Sequence, residues 1–253
     1  MRSYVPNTVE ERREMLKTLG LSEMDELFAD IPADLKLNRE LDLPAPMSEM
    51  ELRQLITGYV LQNDEACLLF RGAGAYHHYI PALIPQLISR SEFYTAYTPY
   101  QAEMSQGLLQ SIFEYQTMIC ELTGMDVSNA SVYDGATAAA EAAAMCRERK
   151  RRVTLISGAA HPDTINTVRT YCYGTGDELR VVPAKDGKTD LEALASMLNE
   201  EVASFYVQQP NFFGLFEDAE ALGQAVHQAG ARYIMGCNPI ALAVMKTPRD
   251  CGA

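Results

Sequence analysis

The stretch NASVYDGATAAAEA reads as a turn followed by a helix, and backbone amides at such a junction can bind phosphate. Asp134 and Gly135 form the predicted turn, and the amides of Ala136, Thr137 and Ala138 open the helix. Gly135, Ala136 and Thr137 are therefore candidates for a phosphate cup. Turns of small residues are also common between secondary-structure elements. A tightly packed core helix that starts at a glycine therefore explains the same sequence.

Two further stretches place polar side chains directly after β-rich runs. HPDTINTV follows the run VTLIS and begins a helix with Pro162 in its first turn, which puts His161 where a site residue would lie. QQPNFFGLFED places Gln208, Gln209 and Asn211 at the same rim. Asn211 can equally satisfy the backbone of a turn, and the sequence does not separate the two roles.

The histidines and glycines near residue 75 do not predict a metal or dinucleotide site. His77 and His78 are adjacent, so their side chains point apart and at most one faces a given site. A metal needs several convergent ligands, and no second cluster supplies them, so we expect no metal. The glycines of RGAGAY run into HHYIPALIPQLI instead of joining a strand to a helix, which excludes a dinucleotide-binding loop.

The elements that must position these residues follow from the hydrophobic pattern. After Arg152, β-rich runs alternate with helical patterns, which predicts a mostly parallel sheet covered by helices. Residues 100–122 have helical apolar spacing, and Gly124 follows as a stop. The last predicted strand, near Ile234, is followed by no further strand and helix, so we expect a domain truncated at its C-terminus.

The first third of the chain reads differently. Thr8 with Glu11 and Ser48 with Glu51 form two capping boxes, each of which predicts a helix start. The segment between them is rich in proline and has no clear period. We predict an N-terminal helical and extended arm over residues 1–64 and a partial large α/β domain over residues 65–253.

Charge and composition limit which kinds of partner and which cellular location the protein can have. The chain has 253 residues and a formal net charge of -13, from 34 acidic and 21 basic residues. This charge repels phosphate backbones and anionic lipid surfaces, so we expect neither nucleic acid nor membrane as a partner. No segment has the pattern of a signal peptide or the roughly 20 apolar residues of a membrane span. The six scattered cysteines include no CxxC pair, which favours reduced thiols and a cytoplasmic location.

Several long motifs resemble one family. TAYTPYQAEMSQGLLQSIFEYQTMICELTGMDVSNASVYDGATAAAEA, together with GAGAYHHYIP and QQPNFFGLFED, is similar to the glycine cleavage system P-protein, specifically its N-terminal half or separate first subunit. The resemblance covers essentially the whole chain. It implies the large-domain fold of type I pyridoxal-phosphate-dependent transferases. It also implies the family reaction, in which glycine loses CO2 and its aminomethyl group passes to the lipoyl arm of the H-protein.

The same resemblance implies that this chain does not hold the cofactor. Pyridoxal phosphate in such a site needs a Schiff-base lysine, a carboxylate near the pyridine nitrogen and a ring that stacks on the cofactor. Thr137 lies where the cofactor-bearing half of the family has the stacking histidine, and Met235 lies where that half has the aspartate. The remaining downstream lysine is Lys246, and the family's lysine lies well beyond this point. The cofactor is therefore expected on a second P-protein subunit, and the isolated chain is expected to be inactive.

The resemblance also gives the loop AYTPYQ a role. Its counterpart in the family shapes the entrance to an active site at a subunit interface, within a heterotetramer. Tyr97, Thr98 and Tyr100 offer rigid apolar bodies with hydroxyl tips, which suit such an interface. A structural corner around Pro99 explains the same residues.

Three functional hypotheses therefore stand. The chain is an obligatory but non-catalytic subunit of a decarboxylating glycine dehydrogenase, or a self-sufficient pyridoxal-phosphate decarboxylase or aminotransferase that uses Lys246, or an assembly scaffold that lends no residue to any site. Absorbance of the purified chain with added cofactor separates the first two hypotheses. A band of covalently bound cofactor that Lys246→Ala abolishes would favour the second.

Overall fold

The structure, a computed structural model, describes residues 7–37, 39–63, 78–94 and 106–253. Contacts divide the chain into two compact units, Met1–Leu68 and Leu69–Ala253. The division at residue 64 into an arm and an α/β domain stays a prediction. Among the described residues, none of the helices combines the length and the apolar character that crossing a bilayer requires.

The first unit contains the two predicted helices. Helix α1 (Val9–Thr18) follows Thr8, and helix α2 (Glu49–Val60) follows Ser48. Both capping boxes are confirmed: the Thr8 amide donates to Glu11 Oε2 at 2.6 Å, and the Ser48 amide donates to the carboxylate of the third helical residue at 2.8 Å. The segment between the helices is not wholly irregular, because Met24–Phe28 and Ala33–Leu35 form short 3-10 turns.

The first described elements of the second unit are helical. Helix α3 (Leu83–Ile88) contains Pro85, which is tolerated in a first turn because the amide there has no partner within the helix. Helix α4 (Gln106–Thr123) confirms most of the predicted 100–122 helix, whose first six residues lie outside the described ranges. Gly124 ends it with φ +73°, as predicted. Helix α5 (Gly135–Met145) follows.

From residue 153 onward, strands and helices alternate as predicted. They are β1 (Val153–Ser157), α6 (Pro162–Thr175), β2 (Glu178–Val182), β3 (Ala184–Lys185), β4 (Lys188–Thr189), α7 (Leu191–Met197), β5 (Val202–Gln209), α8 (Ala219–Gln228) and β6 (Arg232–Cys237). Within the described ranges, β2, β1, β5 and β6 form a parallel sheet in that spatial order. Strands β3 and β4 form a separate antiparallel hairpin.

Both faces of the sheet are covered. Alternate residues of each strand point to opposite faces and so pack into two separate clusters. Leu155, Phe205 and Tyr233 belong to a cluster of buried side chains that also includes residues of α7 and α8. Ile156 and Tyr206 belong to a second cluster with small residues of α5 and with α6. Strand β1 is buried along its whole length, which explains why its sequence is a continuous β-rich run without alternation.

A charged cluster joins α5 and α6 at the amino-terminal end of the sheet. The Asp177 carboxylate, whose side chain is 1% exposed, accepts hydrogen bonds from Arg147 at 2.6 Å, Arg152 at 2.5 Å and Thr175 at 2.5 Å. Burial by itself would raise the pKa of Asp177, but these three hydrogen bonds outweigh burial and hold its pKa at about 2. The carboxylate therefore stays ionised at neutral pH.

We expect Asp177 to make the chain less stable in acid. Its pKa is lower in the folded than in the unfolded chain. Its contribution to the free energy of unfolding is therefore present above about pH 4 and is lost as the pH falls toward 2. The loss amounts to about 2 kcal/mol. Asp177→Asn should lower the free energy of unfolding at pH 7 and flatten its decline between pH 4 and pH 2, as measured by urea unfolding.

Asp126→Asn is the matched control for this substitution. Asp126 pairs with Arg249 at 2.9 Å, but its side chain is 85% exposed. Exposed pairs of this kind contribute less than about 1 kcal/mol. Equal effects of the two substitutions on the pH dependence would contradict the role given to Asp177.

Candidate functional site in the cleft at the carboxyl ends of the strands

A cleft of about 860 Å³ opens at the carboxyl ends of β5 and β6, where ligands bind in parallel α/β sheets. Most of the residues that line it come from the ends of β5 and β6, from α5, from the start of α6 and from the turn after β6; His78 lies outside these elements. They are His78, Asp134, Gly135, Ala136, Ala138, Ala142, His161, Asp163, Thr164, Tyr206, Gln208, Pro210, Ile234, Met235, Gly236, Cys237, Asn238 and Pro239. We refer to this feature as the strand-end cleft. Its volume is typical of pockets for small molecules.

The predicted phosphate cup lies at this cleft, and the Asp134 carboxylate lies beside its backbone amides. Asp134 is the N-cap of α5, and its Oδ1 accepts a hydrogen bond from the Thr137 amide at 2.7 Å. That hydrogen bond lowers the pKa of the Asp134 carboxyl below its usual range. The Ala136 amide also interacts with this carboxylate, so a phosphate here would meet a negative charge beside the amides that it needs. The cup formed by Gly135, Ala136 and Thr137 stays a prediction, and the buried alanines of α5 equally fit the core-helix interpretation.

His161 and Gln208 meet at the rim, as the sequence predicted. The His161 amide donates to Gln208 Oε1 at 2.8 Å, and both residues line the cleft. His161 Nδ1 accepts from the Asp163 amide at 3.1 Å, which in the neutral ring places the proton on Nε2. The ring also packs edge-on against Phe212, with centroids 5.2 Å apart. These contacts hold the imidazole in one orientation at the mouth of α6.

Gln209 and Asn211 do not line the cleft and instead stabilise the turn after β5. Asn211 is fully buried; its Nδ2 donates to Gly187 O and to Glu217 Oε1, both at 2.8 Å. Its Oδ1 accepts from the Phe213 and Leu215 amides at 3.0 and 3.1 Å. Of the two roles that the sequence left open for Asn211, the structure shows the turn-stabilising one. Gln209 is buried too, and its side chain bonds the Glu217 backbone.

Tyr206 is the cleft residue that sequence reasoning missed. It is only 5% exposed, and burial raises the pKa of its phenol well above the usual value. Among the described residues the phenol has no hydrogen-bond partner. A β-carbon at Gly236 would overlap the Tyr206 hydroxyl, so the bare glycine leaves room for it. The signal was available: Tyr206 and Gln208 are two positions apart on one strand and therefore share a face.

The described residues of the cleft do not fit pyridoxal phosphate. Met235, in the place of the family's aspartate, packs against the core cluster under α7 and α8. Thr137 is not among the lining residues. Lysine and arginine are both absent from this lining. Lys246 lies instead at a second pocket, with its ammonium paired to Glu220 and its side chain 66% exposed. The described lining therefore lacks a Schiff-base lysine, and neither Met235 nor Thr137 supplies the carboxylate or the ring that the family's cofactor-bearing half has at those places.

Some predicted site residues are outside the described part of the chain. Tyr97, Thr98 and Tyr100 belong to this group, and so does His77. His78 is described and lines the strand-end cleft. No group of three or more possible metal ligands occurs among the residues with described positions.

Comparison with known proteins decides the family. The family model of the glycine cleavage system P-protein matches residues 2–253. The chain belongs to this family. The resemblance seen in the sequence motifs is thereby confirmed.

Relatives of this P-protein chain carry a subunit name. The chain is 48% identical over 253 residues to the "probable glycine dehydrogenase (decarboxylating) subunit 1" of Carboxydothermus hydrogenoformans, covering 99% of this chain and 57% of the relative. It is also 48% identical to the protein of the same name from Geobacillus thermodenitrificans, covering 99% of this chain and 56% of the relative. The chain thus spans little more than half the length of these relatives.

Solved structures agree with the fold. An inhibitor-bound crystal structure of glycine decarboxylase (P-protein) of the glycine cleavage system matches with a TM-score of 0.74 and 41% identity. The match covers 100% of this P-protein chain and 57% of that one. Sphingosine-1-phosphate lyase of Burkholderia pseudomallei matches with a TM-score of 0.50 and 13% identity, covering 81% of this chain and 51% of its own. The fold is that of type I pyridoxal-phosphate-dependent enzymes, as predicted.

Proposed function

We propose that this chain forms part of a P-protein that decarboxylates glycine and transfers the aminomethyl group to the lipoyl arm of the H-protein. In this proposal its partners are a second P-protein subunit, the H-protein and glycine, in a cytoplasmic heterotetramer. Family membership and the subunit name of the relatives support the proposal. Neither nucleic acid nor a membrane belongs to it, given the net charge of -13.

The observation that carries the assignment of roles is the chemistry of the strand-end cleft. Lysine is missing from its described lining, and Met235, which lines the cleft and packs against the core, stands where a carboxylate would be needed. We therefore assign pyridoxal phosphate to the partner subunit and no covalently bound cofactor to this chain. When bound there, the cofactor supplies the electron sink for loss of CO2. This chain contributes a folded surface to the assembly.

The structure gives little support to a self-sufficient enzyme that uses Lys246. The Lys246 ammonium pairs with Glu220, and this ion pair raises the pKa of the lysine. A lysine that forms a Schiff base at neutral pH needs the opposite shift, toward the neutral amine. Lys246 also lines the pocket with Phe216 and Val244, which is separate from the strand-end cleft.

Tyr97, Thr98 and Tyr100 retain their proposed role at the partner's active site. Hydroxyls on rigid rings at an interface can orient a substrate or the lipoyl arm in a water-poor site. Their position in the chain, on a loop before a long helix, is a common place for site residues.

A reconstitution experiment tests the proposal. The isolated chain should release no CO2 from carboxyl-labelled glycine and should show no band of covalently bound cofactor with added pyridoxal phosphate. Co-purification with a second P-protein subunit, followed by addition of lipoyl H-protein, should give activity. Lys246→Ala should leave the activity of the complex unchanged, because this lysine serves no catalytic step.

The same assay tests the tyrosines. Tyr97→Phe and Tyr100→Phe keep the rings, so assembly and melting temperature should not change. Turnover should fall by about tenfold for each 1.4 kcal/mol of transition-state stabilisation that a hydroxyl supplies. Parental turnover in both variants would make the loop purely structural. Glycine decarboxylation by the isolated chain, or its loss in Lys246→Ala, would overturn the assignment of roles.

A further inference from the structure

The charge of the strand-end cleft differs from that of a phosphate site. Its described lining includes two carboxylates, Asp134 and Asp163, and neither lysine nor arginine. Asp134 is exposed, and its Oδ1 accepts a hydrogen bond from the Thr137 amide. Coulomb attraction at this rim therefore favours cations over anions.

A second observation points to a ligand independently of the charges. The Tyr206 phenol is nine-tenths buried and lines the cleft, yet it finds no partner among the described residues. A hydroxyl at the wall of a cleft that has no partner in the protein is available to a ligand or to water. Gly236 leaves the space that the hydroxyl needs, since any side chain there would overlap it. The phenol stays neutral, so its oxygen can accept a hydrogen bond from a cationic donor.

Much of the remaining wall is apolar, although His78, His161, Thr164, Gln208 and Asn238 also line the cleft. The apolar part is formed by small and hydrophobic side chains, namely Ala136, Ala138, Ala142, Pro210, Ile234 and Pro239. Such walls stabilise an alkyl stem by burying it. We propose that the strand-end cleft binds an organic cation, an ammonium or guanidinium group on an apolar stem, through the Asp134 and Asp163 carboxylates and the Tyr206 hydroxyl.

Two sources can present this chemistry. One is a free alkylamine; the other is a lysine or arginine side chain of the partner subunit, which combines an apolar stem with a cationic head. The second source rests on the proposed function, because it requires a second P-protein subunit. The first source does not.

A titration of the isolated chain tests the proposal directly. The probe is n-butylammonium, compared at equal ionic strength with butyrate, with neutral 1-butanol and with inorganic phosphate. Ligand-observed NMR should show saturable binding of n-butylammonium, on the order of millimolar as expected for so few atoms. Butyrate, butanol and phosphate should bind at least about tenfold more weakly.

Matched variants locate the site. Asp134→Asn keeps the acceptor that caps α5 but removes the charge, and it should weaken binding by about tenfold. Tyr206→Phe should weaken it by several fold, while circular dichroism confirms that the variant folds. Asp190→Asn is the control, because Asp190 also caps a helix, accepting from Glu192 and Ala193, and does not line the cleft. It should bind like the parent chain.

Each other outcome counts against the proposal. Equal affinity for n-butylammonium and butanol, or an equal effect of Asp134→Asn and Asp190→Asn, would overturn it. Binding of phosphate instead would support the predicted cup at Gly135, Ala136 and Thr137.

The assembled complex then separates the two sources. If the complex no longer binds n-butylammonium, a partner side chain occupies the cleft; if it still binds, the ligand is a free amine. Failure to assemble would contradict the proposed function and leave the titration of the isolated chain valid.

Discussion

Asn211→Ala is expected to destabilise the chain by about 3 to 5 kcal/mol, because it leaves several buried polar groups without hydrogen-bond partners. The amides of Phe213 and Leu215 lose their acceptor, and the Gly187 carbonyl loses a donor. The Glu217 carboxylate, 7% exposed, also loses its hydrogen bond from Asn211. Each unsatisfied buried group costs about 1 to 3 kcal/mol, and partial relaxation of the loop reduces the sum.

Urea unfolding monitored by circular dichroism measures this effect. Asn199→Ala is the control, since Asn199 is exposed and its Oδ1 accepts one hydrogen bond, from the Glu201 amide at 2.8 Å. We expect a loss below about 1 kcal/mol for the control. A similar small loss for Asn211→Ala would mean that the loop reorganises freely, and that Asn211 remains available for the site role that the sequence allowed.

Gly236→Ala is expected to cost about 2 to 3 kcal/mol through overpacking. The new methyl group would overlap the Tyr206 hydroxyl and would lie 2.8 Å from the ring carbon that bears it. The ring belongs to a cluster with Ala139, Ala140 and Ile156, so it cannot move aside without disturbing that cluster.

A double-mutant cycle identifies the cause. Tyr206→Leu removes the aromatic ring, so the cost of Gly236→Ala should fall in that background. The same cost in both backgrounds would show that strand geometry, and not the ring, excludes the methyl group. Gly174→Ala is the control: this glycine lies in α6, where an added β-carbon would meet nothing within 4 Å, and alanine should stabilise the helix by up to about 1 kcal/mol.

Most of the strands and helices could be predicted from the sequence because their signals are local. The run VTLIS matches β1, and VASFYVQQ matches β5, since the strands of a doubly covered parallel sheet are continuous apolar runs. The hairpin of β3 and β4 was missed because each strand has only two residues. Asp186 and Gly187, with φ of +52° and +76°, carry a turn signal that could have revealed it.

The site was only partly predictable. The sequence placed His161 and Gln208 at one rim because the ends of adjacent parallel strands meet there. It could not separate Gln208 from its neighbour Gln209, since which side chain faces the cleft depends on the strand register. The spacing of Tyr206 and Gln208 places both on one face of β5, but the room for the Tyr206 hydroxyl depends on Gly236 across the sheet, which the sequence alone does not show.

The spatial order of the strands has a consequence for synthesis on the ribosome. The central strand β1 pairs with β5 through contacts such as Ile156 with Tyr206, and the intervening chain contains β2 and α7. A nascent chain therefore cannot close its central strand pair until Gln209 has left the exit tunnel. Until then α5, with its buried face of small alanines, has no β5 to pack against. Folding of this unit must wait for sequence that lies far downstream of its first strand.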